Sequence, residues 1–206
     1  MFNYKENSQP LLTIGYATHN RKKLILKRLK EIIKLCSNFN IEFIIIDNAS
    51  TDNTYEELTN TYSGKEIHIY KNSENLGFSG NVIEIINKAN GKFVMWVSDE
   101  DKVSENKILE ILNYLESNNS DAIVLNHYKE INNSLHPIRI NSSRLIKIKD
   151  LWKTSHLPGI IWNRNSINKF IIQWSEFKNS YPEISRYYPN LIFMVYLIPK
   201  ANSFFY

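Results

Sequence analysis

The chain has 206 residues, of which 43% are apolar, 13% are aromatic and 22% are charged, and its formal net charge at pH 7 is +4. This composition is typical of a folded globular protein and excludes a disordered tail, a collagen-like rod or a disulfide scaffold. The single cysteine, Cys36, excludes an internal disulfide and a CxxC metal site. Together these properties favour a reducing, cytoplasmic setting.

The sequence predicts neither a signal peptide nor a membrane-spanning helix. Residues 1–10 are polar, and the longest apolar run, 191–198, is far shorter than the roughly 20 residues that cross a bilayer. The aromatic tail at 187–206 leaves two alternatives open. Either it packs into the core, or, together with a basic first helix, it holds the protein weakly against an anionic inner membrane face.

Strand and helix signals alternate through the first two-thirds of the chain. Short apolar runs predict five strands, at 11–16, 41–46, 65–70, 92–97 and 122–125. Apolar residues at helical spacing predict a helix after the first, third and fourth of these strands. Strands joined by crossover helices predict an α/β fold with a mostly parallel sheet flanked by helices. Beyond about residue 126 the pattern is less regular, which predicts a smaller, irregular C-terminal lobe.

Three local signals in the predicted helices are specific. Cys36 shares the apolar face of the first helix with Ile25 and Leu29, so we place it in the core rather than in a reactive site. Thr54, followed three residues later by Glu57, predicts a capping box for the second helix. Asn90 and Gly91 predict a left-handed cap that ends the third helix.

The first predicted helix is strongly basic. Its positively charged residues are Arg21, Lys22, Lys23, Lys27, Arg28 and Lys30. We interpret most of them as a solvated helix face rather than a nucleic-acid surface, because neither interleaved aromatic residues nor a reading motif accompanies them. Arg21 is the exception, since it lies at the exit of the first strand with other polar residues.

Polar clusters follow the first four predicted strands, at 17–21, 47–52, 75–77 and 98–101. Ligands of parallel sheets bind at the carboxyl ends of the strands, so these segments are the candidate binding segments. The last one contains three consecutive acids, Asp99, Glu100 and Asp101. Such acids repel one another unless a cation lies among them, and Mg²⁺ or Mn²⁺ is often held by one or two carboxylates plus substrate phosphates. The alternative is an acidic loop that caps the next helix.

Two further segments have a binding interpretation beside an ordinary one. The short polar side chains of 47–52 suit the edge of a base, whereas a turn with an N-cap from Asp52 or Thr54 is the alternative. Residues 75–81 open the third helix with Gly77 and Gly80, whose N–H groups suit an anion. The alternative is an ordinary helix start that contains glycines and binds no ligand. The chain contains no GxGxxG, GxxxxGK[ST], GxSxG or HExxH motif.

Taken in order, these segments resemble the family 2 glycosyltransferases with a GT-A fold. The most specific match is 44–54, which is very similar to the strand-two signature of that family. Segment 17–21 is similar to its strand-one PTYNR signature, 72–81 to its NxG segment, and 91–101 to its GxY-then-DXD element. The resemblance covers about residues 10–125 well and the remainder loosely, in the manner of transferases that build bacterial surface polysaccharides.

The resemblance implies a single GT-A-like domain over 1–206, with a nucleotide-sugar-binding half at about 10–125 and an acceptor half at about 126–206. It implies transfer of a sugar from a nucleoside-diphosphate sugar, above all a UDP-sugar, to a glycan or lipid-linked saccharide, with inversion. A non-catalytic nucleotide-sugar-binding or scaffold protein is the alternative. A nucleotidyltransferase is disfavoured, because no glycine-rich loop with a lysine follows the first strand. The chain ends where further helices are expected, which leaves a truncated form open.

The resemblance also implies residue roles. The implied donor-binding residues are Thr18, Asn20, Arg21, Asp47, Asn48, Ser50, Asn75, Gly77, Asn81 and Asp99. Asp47 would meet the base, while Asp99, Glu100 and Asp101 would bind the ribose and, through Mn²⁺ or Mg²⁺, the diphosphate. The DXD element registers in two ways, so either Glu100 or Asp101 is the direct metal ligand. Glu183, with Glu176 as a second candidate, would be the catalytic base.

Overall fold

The structure is a computed structural model, and it describes residues 8–62, 67–101, 105–117, 122–124, 128–131, 134–137, 144–145, 160–187 and 203–205. The chain divides into two compact units, Met1–Asn119 and Ser120–Tyr206. The first unit contains all of the predicted donor and metal residues, and the second contains both candidates for the catalytic base.

The first unit alternates strands and helices along the chain. Its elements are β1 (Leu12–Thr18), α1 (Lys22–Leu35), β2 (Ile41–Asp47), α2 (Thr54–Tyr62), β3 (Ile67–Lys71), α3 (Gly77–Lys88), β4 (Phe93–Ser98) and α4 (Glu105–Ser117). The strands form a parallel sheet in the order β3-β2-β1-β4. This confirms the predicted α/β arrangement. The predicted start of the third strand, at 65–66, lies outside the described residues.

The core of the first unit is centred on β2, which is buried along its whole length because both faces of the sheet are covered. Helix α3 packs on β1, β2 and β4. A glycine on β1 permits this close approach, because a Cβ at Gly15 would lie 2.2 Å from the side chain of Ile85. The helices are thereby held against the strands whose ends carry the polar loops.

Helix α1 confirms the predicted apolar face and corrects one part of its basic character. Ile25, Leu29 and Cys36 are buried, and burial raises the pKa of the Cys36 thiol to about 12, which agrees with a core residue. Arg28 is also buried, at 9% exposure, so its interpretation as a solvated residue is wrong. The reason is its position three residues after Ile25 and four before Ile32, which puts it on the same helix face.

The capping-box prediction at Thr54 is wrong. Thr54 is the first residue of α2 and is buried, and its N–H donates to the carboxylate of Asp52 at 3.1 Å. The Thr54 hydroxyl donates to the same carboxylate oxygen. Hydrogen bonds to Asp52, led by the one from that hydroxyl, lower the pKa of Asp52. Asp52 therefore caps the start of the helix, in agreement with the alternative interpretation of segment 47–52 as a turn with an N-cap.

The predicted left-handed cap at 90–91 is also wrong. Helix α3 ends at Lys88, and Ala89 after it is extended, with φ −64° and ψ 134°. Gly91 does not have a positive φ. It is required for space instead, because a Cβ there would lie 2.6 Å from the backbone nitrogen of Thr13 and 2.8 Å from the carbonyl oxygen of Phe93.

A buried carboxylate ties together the amino end of the sheet. Glu42 on β2 accepts hydrogen bonds from the Thr13 hydroxyl at 2.6 Å, from the Asn90 N–H at 2.8 Å and from Asn90 Nδ2 at 2.7 Å. The Thr13 hydroxyl oxygen in turn accepts from the Gly91 N–H at 2.9 Å. This network joins β1, β2 and the segment that leads into β4, at the end opposite the predicted binding loops.

The second unit has shorter strands of mixed direction, in agreement with the predicted irregular lobe. Its elements are β5 (Ala122–Val124), β6 (Tyr128–Ile131), β7 (Ser134–Pro137), β8 (Arg144–Leu145), β9 (Ile160–Asn163), α5 (Arg164–Ser180), α6 (Pro182–Tyr187) and β10 (Ser203–Phe205). The strands β9, β5, β10 and β8 are neighbours in that order. Only the β5–β10 pair among them is parallel, and β6 and β7 form an antiparallel pair.

Candidate active site

The polar loops leave the parallel sheet side by side at its carboxyl edge. Thr18, the last residue of β1, is paired in register with Asp47, the last residue of β2. On the other side of β1, Ala17 is paired with Ser98, the last residue of β4. The segments 17–21, 47–52 and 98–101 therefore begin at the same level of the sheet, where ligands of parallel sheets bind.

The loop after β1 holds the first acid of the loop after β4. The Thr18 hydroxyl donates to Asp99 Oδ2 at 3.1 Å, and Arg21 Nη1 donates to Asp99 Oδ1 at 2.9 Å. The same Arg21 nitrogen lies 2.7 Å from Glu100 Oε1. The Asp99 side chain is only 3% exposed, whereas those of Arg21 and Glu100 are 47% and 64% exposed. Asp99 is thus a buried anchor, and Arg21 and Glu100 face solvent.

The loops after β1 and β2 are joined by main-chain and side-chain hydrogen bonds. The Asn48 N–H donates to the Thr18 carbonyl at 2.8 Å, and the Asn20 N–H donates to Ser50 Oγ at 2.9 Å. Asn20 Oδ1 accepts from the Thr51 N–H at 2.8 Å. Asn20 has a φ of 53°, in the left-handed region that asparagine tolerates better than most residues. The polar side chains here are therefore largely used to shape the loops.

Asp47 has an acceptor that the described part of the chain does not use. Its side chain is fully buried, and its Oδ2 accepts from the Ser50 N–H at 3.3 Å. Its main-chain carbonyl accepts from the Asn72 N–H at 2.9 Å. No donor among the described residues reaches the buried Oδ1. A buried acceptor without a partner costs about 1–3 kcal/mol, which a ligand donor would recover.

Four asparagines connect the loop after β2 with the start of α3. Asn48 Nδ2 donates to Asn75 Oδ1 at 2.7 Å, and Asn72 Nδ2 donates to Asn48 Oδ1 and to Asn81 Oδ1, each at 3.0 Å. Asn81 Nδ2 donates to the Gly77 carbonyl at 2.7 Å. The Gly77 N–H already donates to Asn75 Oδ1 at 2.9 Å. The helix start is therefore satisfied in part by the protein itself, and the predicted residues Asn48, Asn75, Gly77 and Asn81 form one network.

The three consecutive acids suit a cation shared with a ligand better than a metal site made by the protein alone. Among the described residues, no three His, Cys, Asp or Glu side chains are arranged to hold a metal ion. Both oxygens of Asp99 accept hydrogen bonds from Thr18 and Arg21. Glu100 is exposed and Asp101 is half-buried. One or two carboxylates are the usual protein share of a Mg²⁺ or Mn²⁺ site that includes substrate phosphates, so Glu100 and Asp101 fit such a cation.

Two residues at this site were not predicted from the sequence. Asn72 joins Asn48 to Asn81, and Arg28 donates from Nε to the main-chain carbonyl of Asp99 at 3.1 Å. Asn72 lies in segment 72–81, but nothing in the sequence distinguishes it from other loop asparagines. The signal for Arg28 was its position on the apolar face of α1, between Ile25 and Ile32.

The predicted catalytic base lies in the second unit. Glu183 is in the first turn of α6 and is exposed, and Glu176 is exposed on α5. Trp162 and Trp174 are buried in the core of the same unit. In the part of the chain that the structure describes, no helix is long and apolar enough to span a bilayer.

A groove with a volume of about 460 Å³ lies at the β3 edge of the first unit. It is lined in part by Tyr55, Tyr70, Lys71 and Lys88, and it reaches the site through Asn72. Lys71 pairs with Glu56 at 3.2 Å. Since neither Asp47 nor Asp99 lines this groove, it is separate from the charged residues that define the candidate active site.

The first unit is thus an α/β fold whose parallel sheet carries a buried aspartate and an acidic loop at its carboxyl edge. The sequence profile described as glycosyl transferase family 2 matches residues 13–173. The chain therefore belongs to glycosyl transferase family 2, which confirms the resemblance drawn from its motifs.

Two curated relatives that are named as sugar transferases are similar to this chain over part of their length. The abequosyltransferase RfbV of Salmonella typhimurium is 32% identical over 111 residues, which are 52% of this chain and 33% of that protein. The prophage-derived glycosyltransferase SunS of Bacillus subtilis is 25% identical over 182 residues, 86% of this chain and 42% of that protein. The chain thus spans between about a third and two-fifths of the length of these relatives.

Solved structures share the fold at lower sequence identity. S. aureus TarS 1–349 in complex with UDP-GlcNAc superposes with a TM-score of 0.71 at 16% identity, covering 95% of this chain and 55% of that one. The mannosyltransferase PcManGT from Pyrobaculum calidifontis, in complex with GDP-Man and Mn²⁺, gives a TM-score of 0.57 at 15% identity, covering 79% and 47%. At these identities the likeness shows the fold alone.

Proposed function

We propose that the chain transfers a sugar from a UDP-sugar to a glycan or lipid-linked saccharide acceptor, with inversion and with the aid of Mn²⁺ or Mg²⁺. The observation that carries the proposal is the buried Oδ1 of Asp47, which no donor among the described residues reaches, at the same sheet edge as Arg21, Asp99 and Glu100. One end of this cluster offers an acceptor to a base. The other end offers the positive charge of Arg21 to a diphosphate and the carboxylate of Glu100 to a cation bound with it.

Asp47 is the group that selects the base. A carboxylate accepts from the ring N–H of uracil, whereas cytosine has no proton on the corresponding ring nitrogen. TarS structures with UDP-GlcNAc and with UDP support this choice of nucleotide, while PcManGT binds GDP-Man. Thr18, Asn20 and Arg21 line the nucleoside beside it, in loops that hydrogen bonds to Asn48 and Ser50 hold in place.

The acidic loop and Arg21 bind the diphosphate. Arg21 presents a half-exposed guanidinium, which suits phosphate oxygens, and Glu100 with Asp101 supplies carboxylates to the cation. A divalent cation bound with the diphosphate supplies Lewis-acid stabilisation of the leaving group. Asp99 keeps Arg21 and Thr18 in place from its buried position and faces the ribose.

Glu183 takes the proton of the acceptor hydroxyl, with Glu176 as the second candidate. The new glycosidic bond forms on the face opposite the diphosphate as the bond between the anomeric carbon and the phosphate oxygen breaks, which inverts the anomeric carbon. UDP leaves with the electron pair of that bond. Both glutamates are exposed, so an acceptor hydroxyl can reach either side chain without any movement of buried residues.

The experiment that tests the proposal compares binding and turnover in Asp47→Ala. We expect UDP to bind about 1.5–3 kcal/mol more weakly, the range for a hydrogen bond to a charged group, while pyrophosphate inhibition is unchanged. We expect the wild type to release UDP from a UDP-sugar in the presence of Mn²⁺, faster with a crude saccharide acceptor. Equal losses for UDP and pyrophosphate would make Asp47 structural. Tight UDP-sugar binding without any turnover would favour the non-catalytic alternative.

We further propose that the protein acts in the cytoplasm, where nucleotide sugars are available, with weak attachment to an anionic membrane face. The support is the basic α1 and the aromatic tail at 187–206, of which only Tyr187 and Ser203–Phe205 are described. Flotation with anionic vesicles at low salt should carry the protein, and high salt should release it. Absence from all vesicle fractions at low salt would rule out attachment.

A further inference from the structure

Arg28 lies outside every segment that the family resemblance assigns to the donor site, yet it contacts one of them. It is 9% exposed, and its Nε–H donates to the main-chain carbonyl oxygen of Asp99 at 3.1 Å. Its Nη1 pairs with Glu31 Oε2 at 2.9 Å. The guanidinium thereby connects the middle of α1 to the first residue of the acidic loop 99–101.

Core packing alone does not explain an arginine at this position. A buried guanidinium is unfavourable unless its charge and its N–H groups find partners, and apolar residues often replace buried ion pairs without loss of stability. The neighbours of Arg28 on the same helix face, Ile25, Leu29 and Ile32, are apolar and buried. An apolar residue would therefore continue this face.

The contact acts on a rigid unit of the loop. The carbonyl of Asp99 and the N–H of Glu100 belong to one planar peptide group, so fixing one fixes the direction of the other. The Glu100 N–H donates to Ser98 Oγ at 3.3 Å, and the Asp101 N–H donates to the Ser98 carbonyl at 3.1 Å. Arg28 adds a third hydrogen bond to this turn, through the carbonyl oxygen of Asp99. The side chains of Glu100 and Asp101 project from the turn.

Arg28 also acts electrostatically on the buried Tyr16 of β1. Burial raises the pKa of the Tyr16 phenol, the positive charge of Arg28 opposes this rise, and the negative charges of Asp101 and Glu31 add to it. The charge of Arg28 therefore opposes the effect of these two acids on the buried Tyr16 of β1.

We propose that Arg28 is a positioning residue, which holds the peptide group between Asp99 and Glu100 so that the acidic loop is preformed for the diphosphate of the donor. The part of this inference that concerns the donor rests on the proposed function. The part that concerns the loop does not, since it is visible in the protein without any ligand.

Amide hydrogen exchange of the full chain, followed by NMR, tests the loop. In Arg28→Met we expect the amides of Glu100 and Asp101 to exchange about tenfold faster, the equivalent of one lost hydrogen bond, while those of β1 and β2 keep their rates. Arg28→Lys, which lacks Nε, should give the same local increase and serves if the methionine variant does not fold. Lys27→Met, which removes an exposed charge from the same helix, should leave the exchange rates of the Glu100 and Asp101 amides unchanged. Wild-type exchange at both loop amides, or equal acceleration throughout the sheet, would overturn the proposal.

Affinities for uridine and UDP test the link to the donor. We expect Arg28→Met to bind UDP about tenfold more weakly and to lose less affinity for uridine, because the diphosphate meets Glu100 and Asp101, whereas the ribose meets only Asp99, whose side chain is held by Thr18 and Arg21. Equal losses for the two ligands would overturn this link. A wild type that binds neither ligand would contradict the proposed function, and the exchange rates would still decide whether Arg28 positions the loop.

Discussion

At the scale of single residues, the candidate active site is organised by the pairing of Arg21 with two acids. One guanidinium nitrogen lies 2.9 Å from Asp99 Oδ1 and 2.7 Å from Glu100 Oε1. The hydrogen bond to Asp99 raises the pKa of Arg21, and the charges of both acids add to this effect. Three consecutive acids require positive charge nearby, and Arg21 supplies it.

Arg21→Met should weaken UDP binding and destabilise the fold moderately. We expect a loss of about 1.5–3 kcal/mol in UDP affinity, because a charge-assisted hydrogen bond to phosphate is removed. The free energy of unfolding should fall by about 1–3 kcal/mol, because the carboxylate of Asp99 is only 3% exposed and loses one of its donors. Calorimetry and chemical denaturation measure the two quantities. Lys23→Met, an exposed charge on the same helix, is the control, and an equal loss in that variant would exclude a specific role for Arg21.

Glu100→Gln should reduce the effect of the metal on nucleotide binding. The wild type should bind UDP more tightly with Mn²⁺ than with EDTA, and this difference should shrink in the variant because one carboxylate ligand is lost. The Glu100 side chain is 64% exposed, so the fold should be unaffected. Glu57→Gln on α2 is the matched control. A full metal effect that is lost only in Asp101→Asn would assign the direct contact to Asp101, and no metal effect in the wild type would contradict the metal proposal.

The residues of the site that were predicted from the sequence lie in short continuous segments. Thr18, Asp47 and Asp99 each end or directly follow a strand, so their proximity follows from parallel pairing alone. Arg28 was missed because its partner is a main-chain carbonyl 71 residues away, which no side-chain pattern marks. Contacts of this kind depend on how a helix is rotated on the sheet.

At the scale of elements, strands were predicted well and helix ends poorly. Strands β2 and β4 are buried apolar runs, which are visible in the sequence without knowledge of neighbours. The ends of α2 and α3 depend on other segments instead. Asp52 rather than Thr54 serves the start of α2, and Gly91 is required by contact with β1 rather than by its own φ angle.

Glu42→Gln should destabilise the first unit, because it disrupts the hydrogen bonds at the amino end of the sheet. The Glu42 carboxylate accepts three hydrogen bonds, and an amide would place an NH₂ group against the donors of Thr13 or Asn90. We expect the free energy of unfolding to fall by about 1.5–3 kcal/mol, measured by chemical denaturation. Glu84→Gln, which breaks an i,i+4 pair with Lys88 on α3, should cost at most about 0.5 kcal/mol. Equal effects in the two variants would show that the buried network contributes nothing beyond a surface pair.

At the scale of the whole molecule, the two units differ in how far the sequence predicts them. In the first unit α1, α2 and α3 each connect two parallel strands, so the local order of elements indicates a parallel sheet, although β4 lies next to β1 and not next to β3. In the second unit β10 pairs in parallel with β5, although Ser203 and Ala122 are far apart in sequence. Pairing over such a distance has no local signature, which is why the C-terminal half was predicted only as irregular.

The central claim is that the carboxyl edge of the parallel sheet binds a uridine diphosphate through Asp47 and the acidic loop. Titration calorimetry of the full chain with UDP and with CDP, both in Mn²⁺, tests it most directly, because the two ligands differ only in the base edge that Asp47 would meet. We predict that UDP binds and that CDP binds at least about tenfold more weakly, the equivalent of one hydrogen bond. Equal affinities for UDP and CDP, or no binding of either, would contradict the claim.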